Sequence, residues 1–204
     1  MDEDVPSPID LRLPADAAEW ESTAMTKRPF RTEFFARIET ALRELDLERP
    51  RVLELGSGPG FLAERLVTGL GSVDYTALDF SPAMHALART RLGEDADHVA
   101  FVERDFLDPR WTAGLGRFDA VVTVQAVHEL RHKRRAATLH RQVREVLDRG
   151  ASYLVCDHFV GDGGMTNPSL FMTLDEQRDA LGAGGFVDVE TLFVHSGMAL
   201  HRAR

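Results

Sequence analysis

The chain has 204 residues, of which 44% are hydrophobic and 28% are charged, values that suit one globular domain with a sizeable core. No apolar run approaches the roughly 20 residues of a membrane span. The acidic start MDEDVPSPID is unlike a secretory signal, so we expect a cytoplasmic protein that does not bind membranes. A formal net charge of −9 repels polyanions, which disfavours nucleic acid and favours a small molecule as partner.

Residues 1–48 precede the first predicted strand. Residues 1–14 are rich in proline and charge without hydrophobic periodicity, so we predict an arm that only docking can order. After this arm we predict two helices, one over residues 15–25 and one that begins at Arg31. In the second, Thr32 is a candidate N-cap, and aromatic and aliphatic residues recur at helical spacing from Phe34 to Leu45.

From Arg51 to the C-terminus, seven short β-rich runs alternate with helical stretches. This alternation predicts an α/β fold, a doubly wound and mostly parallel seven-stranded sheet with helices on both faces. The last two runs, FVDVETLFV and MALHRA, are separated only by HSG. So short a link permits an antiparallel hairpin and no parallel crossover, so the C-terminal strand is predicted to be antiparallel.

The stretch VLELGSGPG, residues 52–60, forms the first predicted strand-to-helix turn. A dinucleotide-binding turn needs G-x-G-x-x-G, but Phe61 stands where the third glycine belongs. No Gly-Lys-Ser or Gly-Lys-Thr of a P-loop follows, and Pro59 removes one backbone N–H that a phosphate would use. The turn therefore favours a ligand without phosphate, or is an ordinary turn whose glycines allow tight packing.

The spacing of Glu54, Gly56, Gly58 and Gly60 resembles motif I of the class I S-adenosylmethionine-dependent methyltransferases. Asp79 ends the next predicted strand, where an acid can accept hydrogen bonds from both ribose hydroxyls. Ser81 and Pro82 supply a helix cap and first turn, which leaves Asp79 for the ligand.

Further residues extend this resemblance over about residues 50–203. It implies that Asp105 reads the adenine amino group, that Phe106 packs near the ring and that Gln125 lies near the methionine part of the cofactor. The implied cofactor is S-adenosylmethionine, with S-adenosylhomocysteine as product, and the implied fold is the Rossmann-like methyltransferase fold. The full set of predicted cofactor-binding residues is Glu54, Gly56, Ser57, Gly58, Asp79, Phe80, Asp105, Phe106 and Gln125.

Two histidines follow predicted strands at the ligand-binding edge. His128 and, second, His158 are candidate general bases if the acceptor is a hydroxyl, although a packing role is an alternative for His128 and a stronger one for His158. With Asp157 they are the only residues that could gather around a metal, and magnesium prefers oxygen ligands. We therefore expect no metal.

The resemblance implies methyl transfer to a small-molecule acceptor by in-line displacement. It divides the chain into an N-terminal segment, residues 1–48, that acts as a lid, and a methyltransferase domain, residues 49–204. Acceptor-side neighbours are expected among apolar side chains: Trp20, Met25, Phe30, Phe34 and Met172.

Two alternatives remain open, a non-catalytic cofactor-binding sensor or partner subunit and a methyltransferase acting on protein or RNA. The basic stretch RHKRRAATLHRQVR is interpreted as a solvated helix rather than an RNA-binding surface. Enzymes that methylate amide or adenine nitrogens resemble one another in an Asn/Asp-Pro-Pro-Tyr stretch, but this chain has VQAV at that position. The sequence leaves the acceptor and the oligomeric state undetermined.

Overall fold

A computed structural model describes residues 3–204, so the first two residues of the predicted arm lie outside the described residues. The chain divides into two compact units, which are described separately. The N-terminal unit is Pro8–Asp105, and the C-terminal unit is Phe106–Arg204 together with residues 3–7. Within the described range, no helix has the length and apolar character needed to cross a membrane.

The N-terminal unit consists of helices and three parallel strands that alternate after residue 50. The strands lie in the order β3-β2-β1, and a short 3-10 segment, Gly93–His98, leads into β3. In chain order the elements are α1 Pro14–Lys27, α2 Arg31–Arg43, β1 Arg51–Leu55, α3 Phe61–Leu70, β2 Asp74–Asp79, α4 Pro82–Leu92 and β3 Val99–Glu103.

The predicted apolar face of α2 is buried, and Phe34 and Ile38 are fully enclosed in the core. Thr32 does not cap this helix, because the N-cap position is Phe30 and the Thr32 hydroxyl donates to the carbonyl of Pro29. At the polar side of α2, Glu39 accepts from Arg65 of α3 at 2.7 Å. Buried apolar contacts and this ion pair therefore join α2 to α3.

Gly60 is the N-cap of α3 and has φ +81°. A Cβ at this position would lie 3.0 Å from the Ala88 Cβ and 3.2 Å from the Ala88 Cα, in α4. We expect Gly60→Ala to lower the free energy of unfolding by about 1–3 kcal/mol, because it combines left-handed backbone strain with this overlap. Chemical denaturation would measure the loss.

Gly71→Ala is the matched control for this substitution, because Gly71 also has positive φ (+74°) but no atom lies within 4 Å of its would-be Cβ. It should therefore show the backbone strain without the overlap. Equal losses for the two variants would mean that the close approach of α3 and α4 does not require glycine.

The C-terminal unit contains four strands in the order β4-β5-β7-β6. Strand β5 is parallel to β4, and β7 is antiparallel to both β5 and β6. Two short 3-10 turns, Val127–Leu130 and Lys133–Arg135, lie between β4 and α5. The regular elements are β4 Phe118–Val124, α5 Ala136–Val146, β5 Leu147–His158, α6 Leu174–Ala183, β6 Val189–His195 and β7 Met198–Ala203.

The predicted fold class is confirmed. The sheet has seven strands, helices alternate with the parallel strands, and the final hairpin is antiparallel. One local irregularity lies inside β5, at Arg149 and Gly150. Residues 148–151 bulge there between the pairs Phe118↔Leu147 and Ala120↔Ser152, and the φ of +81° at Gly150 accommodates the irregular backbone.

Residues 4–6 dock on the basic stretch of the C-terminal unit. Val5 donates its N–H to the carbonyl of Arg131, and the Arg131 guanidinium donates back to the carbonyls of Val5 and Pro6, all at 2.8 Å. The Asp4 carboxylate pairs with Arg134 and Arg135. Three cations of this stretch thus bind the chain's own N-terminal segment, which differs from the predicted solvated helix, and docking orders this part of the arm.

Candidate active site

The glycine turn of the N-terminal unit follows β1 directly. The backbone N–H groups of Gly56 and Ser57 both donate to the carbonyl of Leu78 on β2, at 2.8 and 3.0 Å. Gly56, Gly58 and Gly60 have φ values of +67°, +54° and +81°. Residues with a side chain rarely adopt positive φ. The backbone of the turn therefore explains why glycine occupies these three positions.

Asp79 lies at the end of β2 and is 5% exposed. One carboxylate oxygen accepts from the Gly58 N–H at 2.8 Å and the other accepts from the Ser81 N–H at 2.9 Å. Ser81 caps α4 through the Met84 N–H, as predicted. Asp79 therefore also fixes the glycine turn.

Glu54 is buried beside the same turn, and its Oε2 accepts a hydrogen bond from the Tyr75 hydroxyl at 2.7 Å. Burial raises the pKa of Glu54 to about 8; the Tyr75 hydrogen bond lowers that pKa, and the Asp79 charge raises it further. Burial thus favours the neutral form of this carboxyl. The sequence reading assigned Glu54 to the site but missed Tyr75.

We expect Tyr75→Phe to destabilise the fold by about 1–3 kcal/mol, because it leaves the buried Glu54 carboxyl without its 2.7 Å partner. Thermal or denaturant unfolding would measure the loss. Tyr153→Phe is the control, since within the described residues the buried Tyr153 hydroxyl has no hydrogen-bond partner. Equal losses in the two variants would contradict a role for the Tyr75 bond.

The pKa of Glu54 also predicts a pH dependence. A carboxyl whose pKa rises from 4.5 when unfolded to about 8 when folded binds more protons in the folded state between these values. Its contribution therefore stabilises the fold at low pH and is lost as pH rises through that window. Glu54→Gln should remove this part of the pH dependence of unfolding, and an unchanged profile would contradict the assignment.

The turn suits an adenosine cofactor, because it holds polar groups that a ligand can satisfy. The buried Ser57 hydroxyl has no hydrogen-bond partner among the described residues. The end of β3 lies beside Asp79, since Arg104 donates its N–H to the Asp79 carbonyl at 3.0 Å. Asp105 follows as an exposed residue, and Phe80 is half-buried. The structure thus brings the predicted residues of this unit to one edge.

The remaining predicted residues belong to the C-terminal unit, where His128 is held by a buried carboxylate. Asp157, at 4% exposure, accepts from the His128 backbone N–H at 2.9 Å and contacts the His128 Nδ1 at 2.7 Å. The same carboxylate accepts from the His158 N–H at 2.7 Å. Sequence reasoning had considered Asp157 only as a metal ligand.

The His128 ring meets a second carboxylate at its other nitrogen, because Nε2 lies 3.3 Å from Glu129 Oε1. Burial alone would lower the pKa of His128, but the charges and hydrogen bonds of Asp157 and Glu129 prevail and raise it. A base must present an unprotonated nitrogen. In this arrangement both ring nitrogens face carboxylates, which favours the imidazolium over a neutral ring that could act as a base.

His158 has a different partner, Gln125. The Gln125 side-chain nitrogen lies 2.5 Å from His158 Nε2, and Gln125 itself has φ +56° at the end of β4, with its N–H bonded to the Cys156 carbonyl at 2.7 Å. The Gln177 side chain donates to the His158 carbonyl at 2.8 Å. Phe106, the other cofactor residue predicted in this unit, is buried.

A small cavity opens onto these histidines. The ring of Phe171 stands 5.2 Å from the His128 ring and 5.9 Å from the His158 ring, centroid to centroid. Charged, polar and apolar side chains share the lining, which consists of Val127, His128, Lys133, Asp157, His158, Leu170, Phe171, Met172 and Gln177. Met172 is thus the expected acceptor-side residue that reaches this cavity.

A search of residues 3–204 finds no group of three or more His, Cys, Asp or Glu side chains arranged to hold a metal ion. Asp157, His128 and His158 are instead bonded to one another and to protein partners. The absence of a metal remains a prediction.

Comparison with known proteins identifies the family. A model described as a methyltransferase domain matches residues 52–150. Malonyl-[acyl-carrier protein] O-methyltransferase of Geobacter sulfurreducens is 30% identical over 191 residues, which cover 85% of this chain and 68% of that protein. Release factor glutamine methyltransferase of Deinococcus radiodurans is 37% identical over 115 residues, 55% of this chain and 37% of that protein.

A solved structure agrees with these sequence matches. The chain is similar to DhpI in its complex with S-adenosylhomocysteine, with a TM-score of 0.73 and 25% identity, over 94% of this chain and 92% of that one. Human N-acetylserotonin methyltransferase, solved with S-adenosylmethionine, shares the fold, with a TM-score of 0.71 and 17% identity over 95% of this chain and 57% of that one. The chain belongs to the class I S-adenosylmethionine-dependent methyltransferases.

Proposed function

We propose that this enzyme methylates a small-molecule acceptor by in-line transfer from S-adenosylmethionine. The observation that carries the proposal is the pair of histidines, His128 and His158, held by polar partners beside the apolar ring of Phe171. A site of this kind suits a small molecule with one polar end.

The cofactor would be held by the residues at the ends of β1, β2 and β3. Asp79 would accept from the ribose hydroxyls, and Ser57 supplies a buried hydroxyl that lacks a partner among the described residues. Asp105 and Phe106 bind the adenine. Glu54, Gly56, Gly58, Phe80 and Gln125 complete the proposed cofactor set. When bound, the cofactor supplies an electrophilic methyl group on a sulfonium.

The acceptor would lie against His128, His158 and Phe171. Methyl transfer requires alignment of two reactants and exclusion of water more than covalent help from the protein. The hydrogen bonds of His128 to Asp157 and of His158 with Gln125 fix the two histidines, which then orient the acceptor. The N-terminal 48 residues are proposed to close over the bound ligands.

The relatives leave the acceptor class open, since one is named for a malonyl group on a carrier protein and another for a release factor. A small acceptor is favoured over a glutamine side chain because VQAV, residues 124–127, stands where the amide-methylating subclass has Asn-Pro-Pro-Tyr. Among those four residues, only Gln125 offers a polar side chain.

The test combines binding and turnover. Calorimetry should detect S-adenosylhomocysteine binding to folded protein, and a panel of small acceptors should release S-adenosylhomocysteine in the presence of S-adenosylmethionine. Binding without turnover over the panel would support the sensor alternative. Turnover that requires a protein or RNA and declines steeply with salt would replace the small-molecule proposal.

A further inference from the structure

Arg91, in the last turn of α4, contacts the glycine turn of the proposed cofactor site. Its Nε donates to the carbonyl of Pro59 at 2.9 Å, and its guanidinium carbon lies over the ring of Phe61, 3.9 Å from the centroid. Pro59 is buried, so Arg91 supplies a hydrogen bond to a carbonyl that is shielded from water. A side chain of α4 therefore holds the end of the turn that begins after β1.

The same guanidinium is also held from α1. One of its terminal nitrogens pairs with Glu21 in the middle of α1, and the other lies 3.5 Å from the Glu64 carboxylate of α3. The Arg91 side chain is 21% exposed and that of Glu21 is 27% exposed. Solvent therefore screens this pair only in part. Arg91 joins α1 and α3 to the turn, and all of these elements belong to the N-terminal unit.

The buried residues of α1 are small. Helix α1 packs on α4, and the residues that it buries are Ala17 and Ala24, which share a helix face with Glu21 because they lie four positions before it and three after it. An alanine side chain removes little apolar area from water. The docking of α1 therefore depends in good part on the pair between Glu21 and Arg91.

A second polar contact links the segment before α1 to the same site. The Leu11 carbonyl accepts from the Ser81 hydroxyl at 2.5 Å, and the Ser81 N–H donates to the Asp79 carboxylate at 2.9 Å. The N-terminal segment thus reaches the residues of the cofactor site at two points, Ser81 near the proposed ribose acid and Arg91 at the glycine turn.

We propose that Arg91 is a positioning residue that couples cofactor binding to the docking of α1. A bound cofactor orders the glycine turn, the ordered turn holds Arg91 through the Pro59 carbonyl, and Arg91 in turn holds Glu21. By linkage, a docked α1 raises cofactor affinity by the factor by which the cofactor favours docking. The inference rests on the proposed cofactor site and specifies how the N-terminal segment responds to it.

The shape of the guanidinium makes these contacts depend on one another. Its donors lie in one plane and point in fixed directions, so Nε serves Pro59 while the terminal nitrogens face Glu21 and Glu64. A change in the position of the Pro59 carbonyl therefore moves the groups that meet the two carboxylates. A neutral glutamine at position 91 would lose both ion pairs.

Calorimetry with S-adenosylhomocysteine, on variants shown to be folded, measures the coupling. Arg91→Gln should weaken binding by at least about fivefold, the lower end of common coupling factors. Glu21→Gln leaves Arg91 and Pro59 in place and removes only the link to α1. It should weaken binding by at least about threefold, because the gain from a docked α1 is lost. If Arg91→Gln does not fold, Glu21→Gln alone decides.

Two substitutions on the same helices are matched controls. Arg89→Gln makes the same charge change on α4, but Arg89 is exposed and lies over the Phe101 ring of β3 instead of at the turn. Glu19→Gln makes the same change on α1 as Glu21→Gln, at an exposed position. Both should bind S-adenosylhomocysteine as the wild type does.

Hydrogen exchange in α1 provides a readout that a merely structural role would not change. S-adenosylhomocysteine should slow amide exchange in residues 14–27 of the wild type at least about fivefold more than in α6. Glu19→Gln should keep this extra protection, whereas Arg91→Gln and Glu21→Gln should lose it. Protection of α1 that persists in Arg91→Gln would overturn the inference.

The coupling and the proposed function fail in different ways. If the folded wild type does not bind S-adenosylhomocysteine, the proposed function fails and the coupling fails with it. If the wild type binds it and Arg91→Gln and Glu21→Gln bind it equally well, with or without a lower melting temperature, the coupling inference fails alone. Equal losses of affinity in Arg89→Gln and Arg91→Gln would also overturn it, because only Arg91 contacts Pro59.

Discussion

Asp79→Ala is expected to weaken binding of S-adenosylhomocysteine by at least about 100-fold. The substitution removes the proposed ribose acceptor and also the two bonds to the Gly58 and Ser81 N–H groups, at 2.8 and 2.9 Å. Hydrogen bonds to a charged group contribute about 1.5–3 kcal/mol each. Two lost ligand bonds together with a loosened glycine turn therefore exceed the roughly 3 kcal/mol that corresponds to a factor of 100.

The measurement is calorimetry on variants shown to be folded. Asp74→Asn is the matched control, because Asp74 begins the same strand but pairs with Arg49 near the surface. It should leave cofactor affinity unchanged. Affinity reduced less than tenfold by Asp79→Ala would mean that the ribose lies elsewhere.

Asp157→Asn is expected to lower the rate of methyl transfer by at least about 100-fold while cofactor affinity stays within a few-fold of the wild type. Asp157 holds both the backbone and the ring of His128 and the backbone of His158. An uncharged asparagine no longer stabilises the imidazolium, and its amide group cannot accept from all three donors. A histidine that is misplaced and in the wrong protonation state lowers the rate of a reaction by a factor of this size.

Separate measurement of kcat and of cofactor affinity identifies the cause. Asp179→Asn, on the exposed surface of α6, should affect neither quantity. A parallel loss of cofactor binding and stability in Asp157→Asn would indicate a structural role in place of the positioning role that we propose.

The cofactor turn could be predicted from the sequence because its parts are local along the chain. Each glycine with positive φ lies at a fixed spacing from Glu54, and Asp79 ends the next strand. In a parallel sheet, successive strand ends meet at one edge. Spacing alone therefore places these residues together, and Ser81 was correctly identified as the cap of α4.

The Tyr75 bond to Glu54 could not be predicted in the same way. In the β1–β2 register, Val52 lies opposite Tyr75 and Glu54 lies opposite Ala77. The two side chains are therefore diagonal neighbours, and their contact depends on register and on a long aromatic side chain. The sequence pattern does not specify a strand register to one residue.

Contacts between distant segments were likewise missing from the sequence prediction. The Asp157 bond to His128 joins residues 29 positions apart, and the Arg131 bonds to Val5 and Pro6 join residues more than 120 positions apart. In the sequence, the cations of this stretch look like the solvated side of a helix. Only the fold shows that acidic and carbonyl groups of the N-terminal segment lie against it.

A crystal structure with S-adenosylhomocysteine tests the central claim most directly, because it shows the cofactor and the acceptor cavity together. We predict that the ribose hydroxyls lie within hydrogen-bond distance of the Asp79 carboxylate and that the Ser57 hydroxyl gains a partner. A ribose bound away from Asp79, or a Ser57 hydroxyl that the cofactor leaves without a partner, would contradict the account.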